Sequence, residues 1–221
     1  MKNHFDDKRK LIFRILVDSI IVGIFAGLFS VLYRFIISKM DIYRGYLYAD
    51  SNLKSILILL AIAIISSYTI YKLLKWAPLS GGSGIPQIRA EILGKFQMEE
   101  VPTIASKIIG GGLGNLMGFS LGREGPSIQI GGASAKLVGK FLKREPDEIK
   151  YLITAGAAAG LAAAFNAPLA GCIFAIEELH KSYSKYVLLP ALIASITANF
   201  ISFVLMGPET AFSFAVAESL P

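Results

Sequence analysis

One cysteine and two histidines stand among 221 residues. A lone Cys172 leaves no disulfide framework, and with two histidines there is no Cys/His metal cluster to assemble. Cys172 reads as a small apolar packing residue, and neither a metal nor a cofactor is expected. Charge is scarce as well. Only 17% of residues are Asp, Glu, Lys or Arg, against about 25% in an ordinary soluble domain. With 54% hydrophobic residues and a mean hydropathy of +0.58, the composition excludes a soluble globular class and places the chain in a membrane. The net charge of +6 comes from basic residues at the ends of apolar segments. It reads as a topology signal, not as a nucleic-acid footprint, and no nucleic-acid partner is expected.

Lys8, Arg9 and Lys10 precede a first apolar span at residues 12–37, which is interrupted by Arg14, Asp18 and Arg34. They predict a cytoplasmic N-terminus. The apolar run at 11–40 is too long for a signal-peptide core. A polar loop is expected next, with Tyr43, Tyr46 and Tyr48 as interfacial anchors. Residues 53–74 form the cleanest spanning helix, closed by Lys72, Lys75 and Trp76. After Pro78 the pattern changes. Glycine and proline interrupt the apolar segments at 85–93, 101–121, 126–142, 148–164 and 168–179, and the first and last are too short to span. Residues 186–206 are again a full span, ended by Gly207-Pro208. Broken helices at membrane depth are tolerated only where they are buried in protein or line a cavity, and paired ones point to an ion or substrate site.

Gly122-Arg123-Glu124-Gly125-Pro126 is the most informative of these breaks. A carboxylate flanked by glycines at membrane depth is a functional suspect. Gly125 permits close backbone approach, and Pro126 suits the first turn of a helix whose free amides attract an anion. Glu124 is itself an anion on a tether, able to fill such a site when ionised and to leave it when protonated. That suggests a gate, a proton carrier or both. Ser83, between Gly82 and Gly84-Ile85-Pro86, reads as an N-cap serine and equally as an anion ligand at a helix N-terminus. Arg123 reads as a structural residue pairing with a nearby acid, since a full cation would hold an ion too tightly for release. Two other patterns lead nowhere. Gly112-Leu113-Gly114 with Gly118 lacks the βαβ setting of a dinucleotide loop and suits close helix packing. Glu177 and His180 have the spacing of half a di-iron site, but the only other histidine is His4.

Three stretches carry a family resemblance: Gly82-Ser83-Gly84-Ile85-Pro86, Gly122-Arg123-Glu124-Gly125-Pro126, and the run from Gly156 through Phe165, Asn166, Ala167 and Pro168 to Gly171. In order and spacing they resemble the CLC family of chloride channels and proton-coupled chloride antiporters, over residues 12–206. The resemblance implies an all-α fold of polytopic transmembrane helices with several short broken helices, equivalent to the family's first inverted repeat. It implies residues 1–206 as that repeat and 207–221 as a connector toward a second one, which this chain lacks.

The resemblance also implies roles. Ser83, with the amides around Gly84 and Ile85, holds the central chloride. Proline stands at the serine position in some nitrate-selective relatives, so Ser83 favours chloride. Glu124 matches the gating glutamate and carries the proton on the outer side. Glu178 matches the internal proton-transfer glutamate of antiporters, where channels usually have an apolar residue, and Glu177 supports that route. Read from residues alone, the same two acids are a solvated helix end beside His180 and Lys181. Lys107 matches a buried lysine that gives the pore positive potential, and it fits a snorkelling interfacial lysine equally well. Gln87 and Arg89 depart from acids found in some antiporters, which makes the inner vestibule more positive.

The function implied is exchange of chloride for protons in a multi-pass cell-membrane protein contacting lipid, with chloride and protons as substrates and no enzymatic reaction. A passive chloride channel and a truncated, non-transporting membrane fragment are the alternatives. A homodimer is implied for the full-length family form, through the outer face of the Pro168 and Tyr186 helices.

Overall fold

Helices account for nearly all of the regular structure in the computed structural model, which describes residues 2–49 and 52–208, with no strand among them. Most of the expected connector, residues 209–221, lies outside the described residues. The helices are α1 (Lys2–Tyr48), α2 (Leu53–Trp76), α3 (Ile85–Ile92), α4 (Glu100–Leu116), α5 (Glu124–Phe141), α6 (Pro146–Phe165), α7 (Pro168–Phe174) and α8 (Lys185–Met206). A 3-10 turn, Pro78–Ser80, follows α2, and a π-helical turn, Ala175–His180, follows α7. Four helices carry windows long and apolar enough to cross a membrane: α1, α2, α6 and α8. Roughly 20 apolar residues suffice for that. The protein is therefore an all-α polytopic membrane protein in which spanning helices alternate with short broken ones.

α1 departs from expectation. The helix runs on through the predicted tyrosine loop to Tyr48. Residues 38–48 contain no proline and a single glycine, Gly45, and the added turns dock on the end of α4. There the Tyr48 hydroxyl donates to the Met117 carbonyl (3.3 Å), and Asn115 Nδ2 donates to Asp41 Oδ1 (3.0 Å). The charges inside the first span are all engaged, as charges at membrane depth must be. Arg144 makes a two-pronged pair with Asp18 at 2.7 and 2.9 Å. Arg14 pairs with Glu148 at the start of α6. Buried Arg34 donates to the Ala163 carbonyl (2.9 Å) and to Ser202 Oγ (2.7 Å), tying α1 to α6 and α8.

α6 is the central post, packed on α5, α8, α1 and α7. Its Ala- and Gly-rich sequence is the reason. A Cβ on Gly131 would overlap the Gly156 carbonyl, and one on Gly160 would overlap the Ser127 carbonyl. α5 and α6 thus touch backbone to backbone, which is how helices associate where lipid removes the hydrophobic drive. α6 ends at Asn166, left-handed at φ 55, an accepted C-terminal signal. Pro168 then opens α7 in the first-turn position suited to proline. α4 stops at Leu116, short of the expected Leu121, because Gly118 takes φ +82 and the Phe119 amide turns back to the Gly114 carbonyl (3.1 Å).

Valine at Gly156 should therefore destabilise the fold by about 3 kcal/mol, the upper part of the usual overpacking range. Alanine at Gly45, where a Cβ meets nothing within 4 Å, should leave the thermal midpoint in detergent unchanged or higher. Equal losses from the two substitutions would mean that α5 and α6 are not in backbone contact.

Candidate functional site

The Ser83 loop is shaped by glycines. Gly82 and Gly84 sit at φ +73 and +101, a region that strains any side chain. The expected serine cap is not formed, because left-handed Gly84 takes the capping position of α3. Gln87 braces the loop: its Oε1 accepts from the Gly84 amide (3.0 Å), and its Nε2 donates to the Gly81 carbonyl (2.7 Å). In the sequence Gln87 is notable only as a departure from the family pattern. The Ser83 residue is left exposed, with its hydroxyl off the helix cap.

Glu124, Gly125 and Pro126 form the first turn of α5, and that turn lies against the Ser83 loop. A Cβ on Gly84 would come 2.8 Å from the Gly125 carbonyl, and one on Gly125 would come 2.7 Å from Ser83 Oγ and overlap the Ser83 carbonyl. Two helix N-termini, each carrying partial positive charge, thereby border one cavity of about 490 Å³. Ser83, Ile85, Lys107, Gly122 and Glu124 are in its wall, with Leu73 and Leu74 of α2 on the apolar side. Lys107 is buried, and its Nζ donates to the Gly82 carbonyl at 2.7 Å. In this position the ammonium is turned to the loop and not out to an interface. Ser106 beside it meets Ser80 Oγ at 2.7 Å, so α4 holds the loop at two points.

Arg123 is directed to an acid: its Nη2 lies 3.8 Å from Asp41 Oδ2, and Asp41 also takes Arg44 at 2.9 Å. Asp41 thus anchors the Glu124 turn to α1. Its only signal in the sequence is an acid near the end of an apolar run.

Glu124 also borders a second cavity, of about 300 Å³, whose other wall residues are Ile128, Leu161, Phe165, Ala167, Ala170, Gly171 and Phe174. The corridor is apolar apart from Glu124 and follows α7 as far as Phe174. One turn further lie Glu177 and Glu178, on the π-helical turn and not on the plain helix end expected from the sequence. That turn closes by a bond from the Lys181 amide to the Ile176 carbonyl (2.7 Å), and such insertions concentrate at functional sites. It sends Glu178 toward α3, where Arg89 Nη1 is 3.7 Å away, and His180 toward α6, where Nδ1 meets Thr154 Oγ1 at 2.9 Å. Glu177 accepts from the Tyr183 hydroxyl (3.0 Å). Burial first, and then the Lys150 ammonium, hold the His180 imidazole below its ordinary range. Glu124 and Glu178 are thus set at a cavity junction and at the exposed end of the same helix path, not side by side.

A buried ion cluster ties the elements together, and no local sequence pattern announces it. Lys136 of α5 pairs with Glu91 of α3, lies 3.3 Å from Glu100 of α4, and also donates to the Met98 carbonyl. The second Glu91 oxygen accepts from the Met98 amide (2.8 Å), and Lys140 reaches Glu100 at 2.5 Å. α3 and α5, whose N-termini meet at Gly84 and Gly125, are therefore also linked further along their lengths.

Comparison with known proteins agrees with this architecture. The family model described as voltage gated chloride channel matches residues 62–221. The H(+)/Cl(-) exchange transporter ClcA of Vibrio cholerae serotype O1 is 35% identical over 217 residues, which cover 94% of this chain and 46% of that protein. Among solved structures, a slow cyanobacterial Cl-/H+ antiporter superposes with a TM-score of 0.81 at 31% identity, over 94% of this chain and 50% of that one. A CLC-type fluoride/proton antiporter gives 0.76 at 27% identity, over 95% and 51%. The chain spans about half the length of the relatives it matches.

Removing Lys136 while leaving Glu91 buried should cost about 3–5 kcal/mol, the usual consequence of an uncompensated buried charge. In thermal unfolding, Lys136→Met should lower the midpoint sharply, and adding Glu91→Gln should restore most of the loss. A double variant no more stable than Lys136→Met would show that the Glu91–Lys136 link is not the one that matters.

Proposed function

This chain belongs to the voltage gated chloride channel family, and from that premise we propose that it supplies one half of a pore that exchanges chloride for protons. The observation that carries the proposal is Glu124's membership of two cavities, one bordered by two helix N-termini with Ser83 and Lys107 in its wall, the other lined by apolar residues apart from Glu124 and lying along α7. In the first cavity, Ser83 and the Ile85 amide hold chloride by hydrogen bonds and helix-end charge, without a full cation in contact; the Gly84 amide, expected to share that role, is taken instead by Gln87 Oε1. Buried Lys107 adds positive potential from behind Gly82. Glu124 competes with the anion for this site when ionised. When protonated it is neutral and suits the apolar corridor, and water threading that corridor relays its proton toward Glu178. Arg89 faces Glu178 at the inner end across 3.7 Å, and Glu177 with Tyr183 keeps that end polar.

The rest of the anion's ligands come from the other half of the relatives' length, which would cover Ser83 and Glu124 in the assembled pore. The outer faces of α7 and α8, with Leu169, Ile173, Ile196 and Phe200 exposed, are the surface this reading assigns to a homodimer of such assemblies.

Vesicles containing the assembled pore test the assignment. Glu124→Gln should keep chloride flux and abolish proton flux driven by a chloride gradient, because the amide mimics the protonated acid and has no proton to release. Glu178→Gln should suppress proton flux while chloride affinity survives, because Glu178 lies off the anion cavity. Proton pumping that persists in Glu124→Gln removes it as the carrier, and an unchanged proton-to-chloride ratio in Glu178→Gln returns Glu178 to the role of a solvated helix end. A wild-type pore that moves chloride and no protons would be a passive channel.

A further inference from the structure

The cavity that receives Ser83 and Glu124 has a polar wall residue to which the exchange reading gives no task. Tyr33 lies in the middle of α1, is 1% exposed, and packs on the glycine run of α4. A Cβ on Gly111 would come within 2.8 Å of the Tyr33 hydroxyl oxygen, so glycine at this point is what admits the ring. Tyr33 and Gly111 both border the cavity, with Ser83, Lys107 and Glu124. The Tyr33 hydroxyl is buried and finds no hydrogen-bond partner among the described residues. A buried hydroxyl left in that state is destabilising, and a phenylalanine would fill the same volume without the penalty. The neighbouring groups give the hydroxyl proton no acceptor, since Gly111 brings no side chain and the Lys107 ammonium can only donate.

We infer that the Tyr33 hydroxyl is an anion ligand: it donates its proton to the anion that occupies this cavity, whose wall also includes the Glu124 turn. The inference rests on the anion role proposed for the cavity. A phenol suits the task because it is a neutral donor, strong enough to help strip water from an ion and too weak to trap it. It also discriminates. A compact anion that accepts strong hydrogen bonds gains more from it than a large, diffuse one, so Tyr33 raises the preference for chloride over thiocyanate.

Thermal unfolding tests this on the chain purified from membranes with any subunit that copurifies. The midpoint is followed in sodium chloride, sodium thiocyanate and sodium gluconate at constant ionic strength, since a ligand bound only by the native state raises it in a concentration-dependent way. Tyr33→Phe should raise the midpoint in gluconate, because the unpartnered hydroxyl is gone. It should weaken chloride about tenfold and thiocyanate less than about threefold, as expected for loss of one hydrogen bond to an ion. Ser83→Ala reports separately on the cavity. If Ser83→Ala weakens chloride and Tyr33→Phe does not, the Tyr33 role is overturned and the anion cavity stands. If neither variant alters the chloride effect, the anion cavity falls and the Tyr33 role falls with it. A midpoint in gluconate that drops in Tyr33→Phe means the hydroxyl serves the protein's own packing, which also overturns the inference.

Discussion

Everything at this site depends on how closely two pieces of backbone approach at Gly84 and Gly125. Neither position has room for a methyl group, because the carbonyls and the Ser83 hydroxyl stand where a Cβ would go. That contact brings the first turns of α3 and α5 to one cavity. Each turn offers amides without internal partners, though Pro86 and Pro126 bring none and Gln87 takes that of Gly84, and side by side they make a region of positive potential without a cationic side chain. The ion can then be attracted without being trapped. Gln87 inside the loop and Lys107 behind it hold the geometry from two directions.

The same economy governs the rest of the chain. Glycine and alanine let α5 and α6 meet through backbone, and charged groups within the fold are matched to named partners. Asp18 meets Arg144, Arg34 meets the end of α6, and Lys136 meets Glu91 and Glu100. These pairs fasten α1, α6 and α8 together, and α3 with α4 and α5. The ionisable groups near the cavities are placed differently. Glu124 and Glu178 are exposed on this chain, and the Arg89–Glu178 contact is loose and half-exposed, a type worth little to stability. The two carboxylates proposed to exchange protons thus stand outside the tight ionic clusters.

Much of this was legible before any coordinates, because glycine and proline punctuate the chain. The apolar run at 53–74 is α2 to within two residues, and the break before Ile85-Pro86 opens α3. Pro168 begins a helix as its segment suggested, and the run at 148–164 is α6 to within two residues at either end. The Glu124 turn and the Ser83 loop stood out because ionisable or hydroxyl groups among glycines are unusual in an apolar setting. What escaped the sequence depends on contacts between distant residues. α1 continues past Ile37 because Asp41 and Tyr48 find partners at the end of α4. The π-helical turn reflects Thr154 receiving His180 on one side and Arg89 meeting Glu178 on the other. Ser83 loses the cap to Gly84 because the loop takes a left-handed step that local composition permits but does not require. Tyr33 lies inside the first apolar run, and its packing against Gly111 is a contact between residues far apart in the chain.

Anion and proton are linked, in this account, because Glu124 is the one side chain at the junction of both cavities. An anion seated beside that carboxylate repels its charge and favours the neutral acid. The most direct measurement is therefore calorimetric titration of chloride into the protein in buffers of different protonation enthalpy, which counts protons exchanged per ion bound. Net uptake of protons as chloride binds is the predicted result. Chloride binding accompanied by no proton exchange at any pH tested would contradict the shared role of Glu124.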